Sequence, residues 1–271
     1  ECGDGKYFRM CRYGCFKNSR LQSFVVAGIF TYHRMRRSFY KQIDHYICLN
    51  ENQIRLLINI GFNRNKITKK YNFVSDAEAN LRAVKIDGLP ERYVVFYGRI
   101  GEEKGIKILM EIWNKLQNIP LVVMGGGPLE IEFKQWADKH DNVFFLGYTQ
   151  HDKCLSIVKG GEFVVFPSIW YEGCSMVEIE TESLGKGLIA TDLGFSTEAI
   201  EDGRNGYKVK LGDIDGFRKY ITELWSDPEL ISEIGRNARL DYEQKYRPED
   251  NYKQLLDIYR RTMEQLVWIQ E

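Results

Sequence analysis

Five short runs of apolar residues, separated by segments of helical periodicity, limit the folds open to this chain. The runs occupy residues 94–97, 121–124, 143–146, 163–166 and 188–191. Continuous apolar runs of this length are typical of strands that are buried on both faces of a parallel sheet. Between the first two runs, Ile106, Leu109, Ile112 and Leu116 recur at intervals of three and four residues, as along one side of a helix. The alternation predicts an α/β fold built on a doubly wound parallel sheet.

Further helices are expected between the later runs and at the end of the chain. Weaker helical periodicity covers residues 129–139, 151–158 and 175–185. Asp213 and Asp227 are of a residue type that caps helix N-termini, and a proline follows Asp227 where a helix tolerates one. Together with a helix that starts at Pro248, they predict a helical C-terminal region.

The first 75 residues are strongly basic. They contain 14 Lys/Arg against 4 Asp/Glu, an excess of +10 in a chain whose net charge is zero. An anionic partner (phospholipid, phosphate-bearing substrate or nucleic acid) and a solvated basic face explain this excess equally well. Within it, the basic residues of 34–41 are interleaved with Met35, Phe39 and Tyr40, which favours a membrane surface. We therefore expect peripheral membrane contact through residues 24–41 and no nucleic-acid binding.

The start of the chain and its cysteines bear on where the protein works. The chain begins at Glu1, shows no secretory signal, and has near its start no apolar run long enough to span a bilayer. Of its six cysteines, Cys2, Cys11 and Cys15 cluster, but without CxxC spacing or a clear fourth zinc ligand. We interpret them as reduced thiols, with the remnant of a zinc site as the alternative. We expect part of a longer protein, located in the cytoplasm or at the inner face of the cell membrane.

A pair of cations follows the first predicted strand. The segment Gly98-Arg99 continues to Lys104-Gly105, so an Arg and a Lys lie five residues apart in a loop that leads into a helix. Fixed cations near a helix N-terminus suit a diphosphate group. Two solvated surface cations are the plainer alternative.

A glycine-rich loop follows the second predicted strand. Gly125, Gly126 and Gly127 precede Pro128, so the third glycine of a dinucleotide-binding fingerprint is missing. We interpret the segment as a turn at the rim of a cleft, with the backbone of Gly126 facing a nucleotide. The poor fingerprint argues against an NAD-dependent oxidoreductase.

The fourth predicted strand is followed by the segment richest in candidate binding groups. Two carboxylates, Glu172 and Glu180, flank a loop that leads into a helix, whose first backbone N–H groups are unpaired. Those amides, in the segment from Gly173 to Ser175, would hold a phosphate. Glu172 can accept hydrogen bonds from sugar hydroxyls, and Glu180 can bind the vicinal hydroxyls of a ribose.

These segments, taken in order, resemble glycosyltransferase family 4, which consists of retaining enzymes of the GT-B fold. The similarity covers roughly residues 45–260, and the Glu172-x7-Glu180 segment is its most specific part. The resemblance implies a Rossmann-like C-terminal domain over residues 79–248. Residues 1–78 would be the remnant of a Rossmann-like N-terminal acceptor-side domain, and residues 249–271 a helix packing back on it.

The resemblance also implies a reaction. A hexosyl- or other glycosyltransferase would move sugar, with retention, from a UDP- or GDP-sugar to a polysaccharide or lipid-linked acceptor in bacterial surface polysaccharide biosynthesis. Arg99, Lys104 and Glu172 would be the catalytic residues. The residues that bind the donor, through sugar or phosphate contacts of the backbone or, for Glu180, through the ribose, would be Gly98, Gly126, Gly173, Cys174, Ser175, Met176 and Glu180. No metal or cofactor is expected, because the cations and the helix N-terminus neutralise the diphosphate.

One departure from the family pattern limits this expectation. The family's glycine-rich acceptor-side loop and its histidine near the reacting carbon would lie before residue 1. We interpret the histidines present, His33, His45, His140 and His151, as surface or packing residues. The chain alone is therefore expected to be a weak or inactive enzyme. The alternative is a non-catalytic nucleotide-sugar-binding module.

Overall fold

A computed structural model describes residues 5–76, 81–83 and 86–270 of the chain. It divides into two compact units. One runs to Lys70 and includes the residues from Gln254 onward, and the other is Tyr71–Lys253. The domain boundaries at residues 78 and 248 stay predictions.

The second unit is built on a parallel sheet of six strands within the described residues. The strands are β3 (Val94–Tyr97), β4 (Leu121–Met124), β5 (Val143–Gly147), β6 (Phe163–Phe166), β7 (Gly187–Thr191) and β8 (Gly206–Val209). Their order is β5-β4-β3-β6-β7-β8, with every neighbouring pair parallel. The five predicted strands are confirmed. The edge strand β8 was not predicted, because the half-exposed Lys208 interrupts its apolar run.

Helices cover both faces of this sheet. They are α5 (Ile106–Trp113), α6 (Glu130–Ala137), α7 (His151–Gly160), α8 (Met176–Ser183), α9 (Ser196–Ala199), α10 (Ile214–Ser226) and α11 (Pro228–Lys245). Alternate residues of β3 enter different cores: Phe96 packs with Trp113 and Phe217, whereas Val95 packs with Ile157. The predicted α/β doubly wound fold is therefore confirmed. A final helix, α12 (Pro248–Gln270), follows.

Up to Lys70, the first unit contains four α-helices and a small parallel sheet within its described residues, and the part of α12 from Gln254 onward also belongs to it. The elements are α1 (Arg9–Tyr13), α2 (Arg20–Arg36), α3 (Ser38–Lys41), β1 (Tyr46–Cys48), α4 (Glu51–Asn59) and β2 (Ile67–Lys69). Strands β1 and β2 pair in register, and Cys48, Ile54 and Ile67 form a small buried core. None of the helices in the described ranges has the length and apolar character to cross a membrane.

Candidate functional site

The order of the strands locates a crevice in the second unit. The chain proceeds outward from β3 to β4 and β5, and then returns to place β6 on the opposite side of β3. Ligands of open α/β sheets bind beyond the carboxyl ends of the strands, at such a switch point. The loops that follow β3 and β6 therefore meet there. They carry all three catalytic candidates, and two of these, Lys104 and Glu172, contact each other.

Lys104 and Glu172 form an ion pair at this point. The Lys104 Nζ atom lies 2.6 Å from Glu172 Oε1, and both side chains are largely buried. The Lys104 ammonium also lies 5.4 Å from the centre of the Phe166 ring. The Ser168 hydroxyl is 3.0 Å from the same Glu172 oxygen and 3.1 Å from the carbonyl oxygen of Glu103. The carboxylate is thus held by a charge and a hydroxyl, which fixes its position.

Arg99 has a different partner. Its Nε atom lies 3.4 Å from Glu103 Oε1, and its side chain is exposed. It lines a cavity of about 380 Å³ at the carboxyl ends of β3 and β4, which we call the Arg99 cavity. Other residues lining the cavity are Tyr97, Gly98, Gly126, Tyr148 and His151. The structure therefore puts Arg99, Gly98 and Gly126 at one cavity, whereas Lys104 pairs with Glu172 of the loop after β6.

Close backbone packing holds the glycine loops together. Gly125 has φ +140°, and a Cβ there would lie 1.8 Å from the carbonyl oxygen of Gly98. Gly105 has φ +73°, and a Cβ there would lie 1.8 Å from the carbonyl oxygen of Pro167. Only glycine fits such contacts. The second of them presses the loop after β3 against the loop after β6, which carries Glu172.

Helix α8 begins beside Glu172, as the sequence predicts. Ser175 is its N-cap, and the Ser175 hydroxyl accepts a hydrogen bond of 3.4 Å from the backbone N–H of Glu178. The buried Cys174 is fixed by Asn72, whose side-chain amide donates to the Cys174 carbonyl at 3.2 Å. The first turn of α8, which follows Gly173, therefore has a defined position, and unpaired N–H groups at such an end attract anions.

Glu180 lines a second cavity, of about 460 Å³, which we call the Glu180 cavity. Met176 of the same helix lines it too. The Nε2 atom of His151 lies 3.6 Å from Glu180 Oε1, which is an ion-pair distance. Burial raises the pKa of the Glu180 carboxyl, and the neighbouring His151 opposes that rise.

Two further carboxyl groups of α8 are buried. Burial raises the pKa of Glu178 to about 8, and the hydrogen bond from the Ser196 hydroxyl, at 3.0 Å, opposes that rise. Burial also raises the pKa of Glu182. One oxygen of each, Oε2, has no hydrogen-bond partner among the described residues. A buried carboxyl with an oxygen that has no hydrogen-bond partner favours its neutral form.

Sequence reasoning missed three groups at this site. Ser168 and Glu178 lie inside the predicted binding segment but were given no role. His151 is exposed, in keeping with its interpretation as a surface residue. It is also the first residue of α7, and the loop that precedes it lies at the carboxyl end of β5. The rule that ligands bind at carboxyl strand ends was the signal that could have found it.

No cluster of three metal-ligating side chains occurs in the described ranges. Cys11 and Cys15 are free thiols, and Cys2 lies outside the described residues.

A solved structure shares this architecture. The crystal structure of HepE from Anabaena, in complex with UDP and glucose, matches 80% of this chain and 63% of its own, with a TM-score of 0.69. At 19% sequence identity this likeness establishes the fold alone. The class that the fold defines is therefore the GT-B glycosyltransferase fold, as predicted.

Sequence comparison specifies the family. The family model described as glycosyl transferases group 1 matches residues 79–241, more than half of the chain, and the chain belongs to that family. Alpha-D-kanosaminyltransferase of Streptomyces kanamyceticus is 30% identical over 196 residues, which are 68% of this chain and 50% of that protein. O-antigen chain mannosyltransferase C of Escherichia coli is 25% identical over 178 residues, 64% of this chain and 48% of that protein. The chain thus spans about half the length of the curated relatives it matches.

Proposed function

We propose that this chain supplies the donor-binding side of a retaining, metal-independent glycosyltransferase that uses a UDP- or GDP-sugar. The observation that carries the proposal is the Lys104–Glu172 ion pair, held at the switch point of the sheet beside the N-terminus of α8. A cation for phosphate, a carboxylate for sugar hydroxyls and a helix N-terminus lie together there. These are the groups that a nucleotide diphosphate sugar requires.

Each group has a proposed role in binding the donor. The diphosphate exchanges for Glu172 at Lys104 and contacts Arg99, while Glu172 turns to the hydroxyls of the donor sugar. Glu180, at the wall of its cavity, holds the ribose diol. The backbone amides of Gly173–Met176 take up sugar or phosphate oxygens, and Gly98 and Gly126 let the nucleotide approach the backbone.

The proposed chemistry is the departure of a nucleoside diphosphate. Negative charge develops on its oxygens as the glycosidic bond breaks, and fixed cations and a helix N-terminus stabilise that charge more in the transition state than before it. Lys104, Arg99 and α8 would thus do what a metal ion does in other transferases. The transferred unit is proposed to be a hexosyl or related glycosyl group.

The proposed acceptor is a polysaccharide or a lipid-linked glycan, and the proposed location is the cytoplasmic face of the membrane. A relative named for O-antigen chains supports the acceptor class. Free thiols at Cys48, Cys154 and Cys174 are typical of a reducing compartment. Helix α2 exposes apolar side chains such as Leu21, Phe24 and Met35 together with basic ones, which supports peripheral membrane contact.

Calorimetry with UDP, GDP and their sugars tests the binding part of this proposal. Lys104→Ala should weaken nucleoside diphosphate binding by about tenfold or more, because a partly buried phosphate-binding cation contributes about 1.5–3 kcal/mol. Lys107→Ala is the matched control, since Lys107 is exposed in the first turn of α5, three residues from Lys104, and its ammonium pairs with Glu102 at 3.4 Å. Absence of binding to every one of these nucleotides would contradict the proposal.

A non-catalytic nucleotide-sugar-binding module is the second candidate. It predicts the same calorimetric result without sugar transfer. The deciding assay measures nucleoside diphosphate released from a UDP- or GDP-sugar. Release by the wild-type protein that is lost in Glu172→Ala would identify an enzyme rather than a binding module.

A further inference from the structure

His151 occupies a position between the two cavities of the second unit. Among the described lining residues it is common to both, the Arg99 cavity of about 380 Å³ and the Glu180 cavity of about 460 Å³. It is the first residue of α7, so its backbone is fixed by the helix while its side chain stays exposed. Its Nε2 atom lies 3.6 Å from Glu180 Oε1.

The other groups that face Glu180 do not supply a charge of opposite sign. Tyr97 of β3 is buried, and burial raises its pKa, so its hydroxyl stays neutral. Burial raises the pKa of the Cys154 thiol of α7 to about 12, so this group is neutral too. Asp76 and Asp152 line the same cavity, and Asp76 forms an ion pair with Arg239 at 2.7 Å. Of these neighbours, His151 is the one that can become a cation.

We propose that His151 is a positioning residue for the ribose of the nucleotide, which acts by holding the Glu180 carboxylate ionised and directed toward the ribose diol. This inference rests on the proposed function. A carboxylate can accept hydrogen bonds from two vicinal hydroxyls. A protonated carboxyl instead donates a hydrogen bond through its O–H group and is a weaker acceptor. A buried carboxyl tends to lose its charge. The His151 ring, 3.6 Å away, opposes that loss when it is protonated, and so leaves the carboxylate ready to bind.

The contribution of His151 to nucleotide binding should be larger at low pH than at high pH. Because burial raises the pKa of Glu180, the neutral carboxyl replaces the carboxylate more readily as the pH falls. His151 supports the carboxylate through its charge only when its ring is protonated, and a lower pH favours the protonated ring. Replacing His151 by an uncharged residue should therefore weaken nucleotide binding more at about pH 6 than at about pH 8.

The test is calorimetry on the full chain with His151→Gln, Glu180→Gln and the double variant. The ligands are UDP and GDP, and the 2′-deoxy form of whichever nucleotide binds. His151→Gln should weaken binding of the ribonucleotide about three- to tenfold at about pH 6, a coupling of the size seen between contacting residues. It should have no effect in the Glu180→Gln background, and little effect on the deoxynucleotide. Lys153→Gln, at an exposed position of the same helix, is the control, and thermal unfolding checks that each variant is folded.

The outcomes separate this inference from the function on which it rests. Failure of the wild-type chain to bind either nucleotide would overturn both. Wild-type binding with no effect of His151→Gln would overturn the inference alone. So would an equal effect on ribo- and deoxynucleotide, or an effect that persists in the Glu180→Gln background, because His151 would then act by another route.

Discussion

At the scale of single residues, the Lys104–Glu172 pair means that the free site is nearly neutral at its centre. A bare nucleoside diphosphate has no sugar for Glu172 to contact, so it must compete with Glu172 for Lys104. Glu172→Gln removes the competitor and keeps the shape. We expect this variant to bind the nucleoside diphosphate about three- to tenfold more tightly, and to transfer sugar far more slowly.

Calorimetry with the nucleotide alone measures the first effect, and product release measures the second. Glu111→Gln, an exposed change in α5, is the control for net charge. Unchanged or weaker nucleotide binding by Glu172→Gln would show that Glu172 does not compete with the nucleotide for Lys104.

The Glu178 carboxyl predicts how stability changes with pH. Its pKa is about 8 in the folded chain against 4.5 ordinarily, so the folded state holds a proton that the unfolded state releases between these values. The stabilisation it contributes is complete below about pH 4.5 and is lost as the pH rises to about 8. Glu178→Gln should therefore match the wild type near pH 5 and exceed its stability at pH 8, by about 2 kcal/mol or more.

Thermal unfolding across this range, with the exposed Glu132→Gln as control, is the measurement. Glu182 of the same helix is buried as well, so part of the pH dependence remains in the variant. A stability difference that stayed constant from pH 5 to pH 8 would mean that Glu178 is ionised in the folded chain.

At the scale of elements, apolar runs predict the strands but not which side chains come into contact when the strands form the sheet. Strands β3 to β7 are evident from sequence because burial on both faces demands unbroken apolar runs. The 2.6 Å contact between Lys104 and Glu172 joins residues 68 apart in sequence and depends on β6 lying beside β3. Likewise, the contact of His151 with Glu180 depends on how α7 and α8 pack. Such tertiary contacts have no local signature, so the sequence indicated the candidate segments but not which of their side chains pair.

The glycine loops allow a test of that packing. Gly125→Ala would place a methyl group 1.8 Å from the Gly98 carbonyl oxygen in a backbone conformation that alanine avoids. We expect a loss of about 3 kcal/mol or more in the free energy of unfolding, and loss of nucleotide binding, because the loop after β3 must shift.

Gly212→Ala is the matched control for Gly125→Ala. Gly212 also has a positive φ, +79°, but nothing lies within 4 Å of the added Cβ. Only the conformational penalty applies there, about 1–2 kcal/mol, and nucleotide binding should be kept. Equal effects of the two substitutions on binding would contradict the packing argument.

At the scale of the whole molecule, the two units carry different surfaces. The candidate nucleotide-binding residues named above lie within Tyr71–Lys253. The excess of basic residues lies in the first 75 residues, where α2 also exposes Leu21, Val25, Ile29 and Tyr32 at intervals of three and four. Its buried side chains, Ser23 and Ala27, lie on the opposite side of the helix. Apolar and basic groups exposed together favour binding to an anionic bilayer surface.

This division predicts that membrane binding and nucleotide binding can be lost separately. Phe24→Ser combined with Met35→Ser should lower sedimentation with phosphatidylglycerol vesicles by about tenfold or more, because inserting a Phe or Met side chain contributes about 1.5–3 kcal/mol. Nucleotide affinity should not change. Ile131→Ser, which alters an equally exposed apolar residue of α6 in the other unit, should leave sedimentation intact. High salt should weaken wild-type binding because the basic residues contribute through charge. Two outcomes would exclude α2 as the membrane-binding element: binding to neutral phosphatidylcholine as strong as to phosphatidylglycerol, or no effect of the double substitution. Neither outcome would affect the proposal for the donor site.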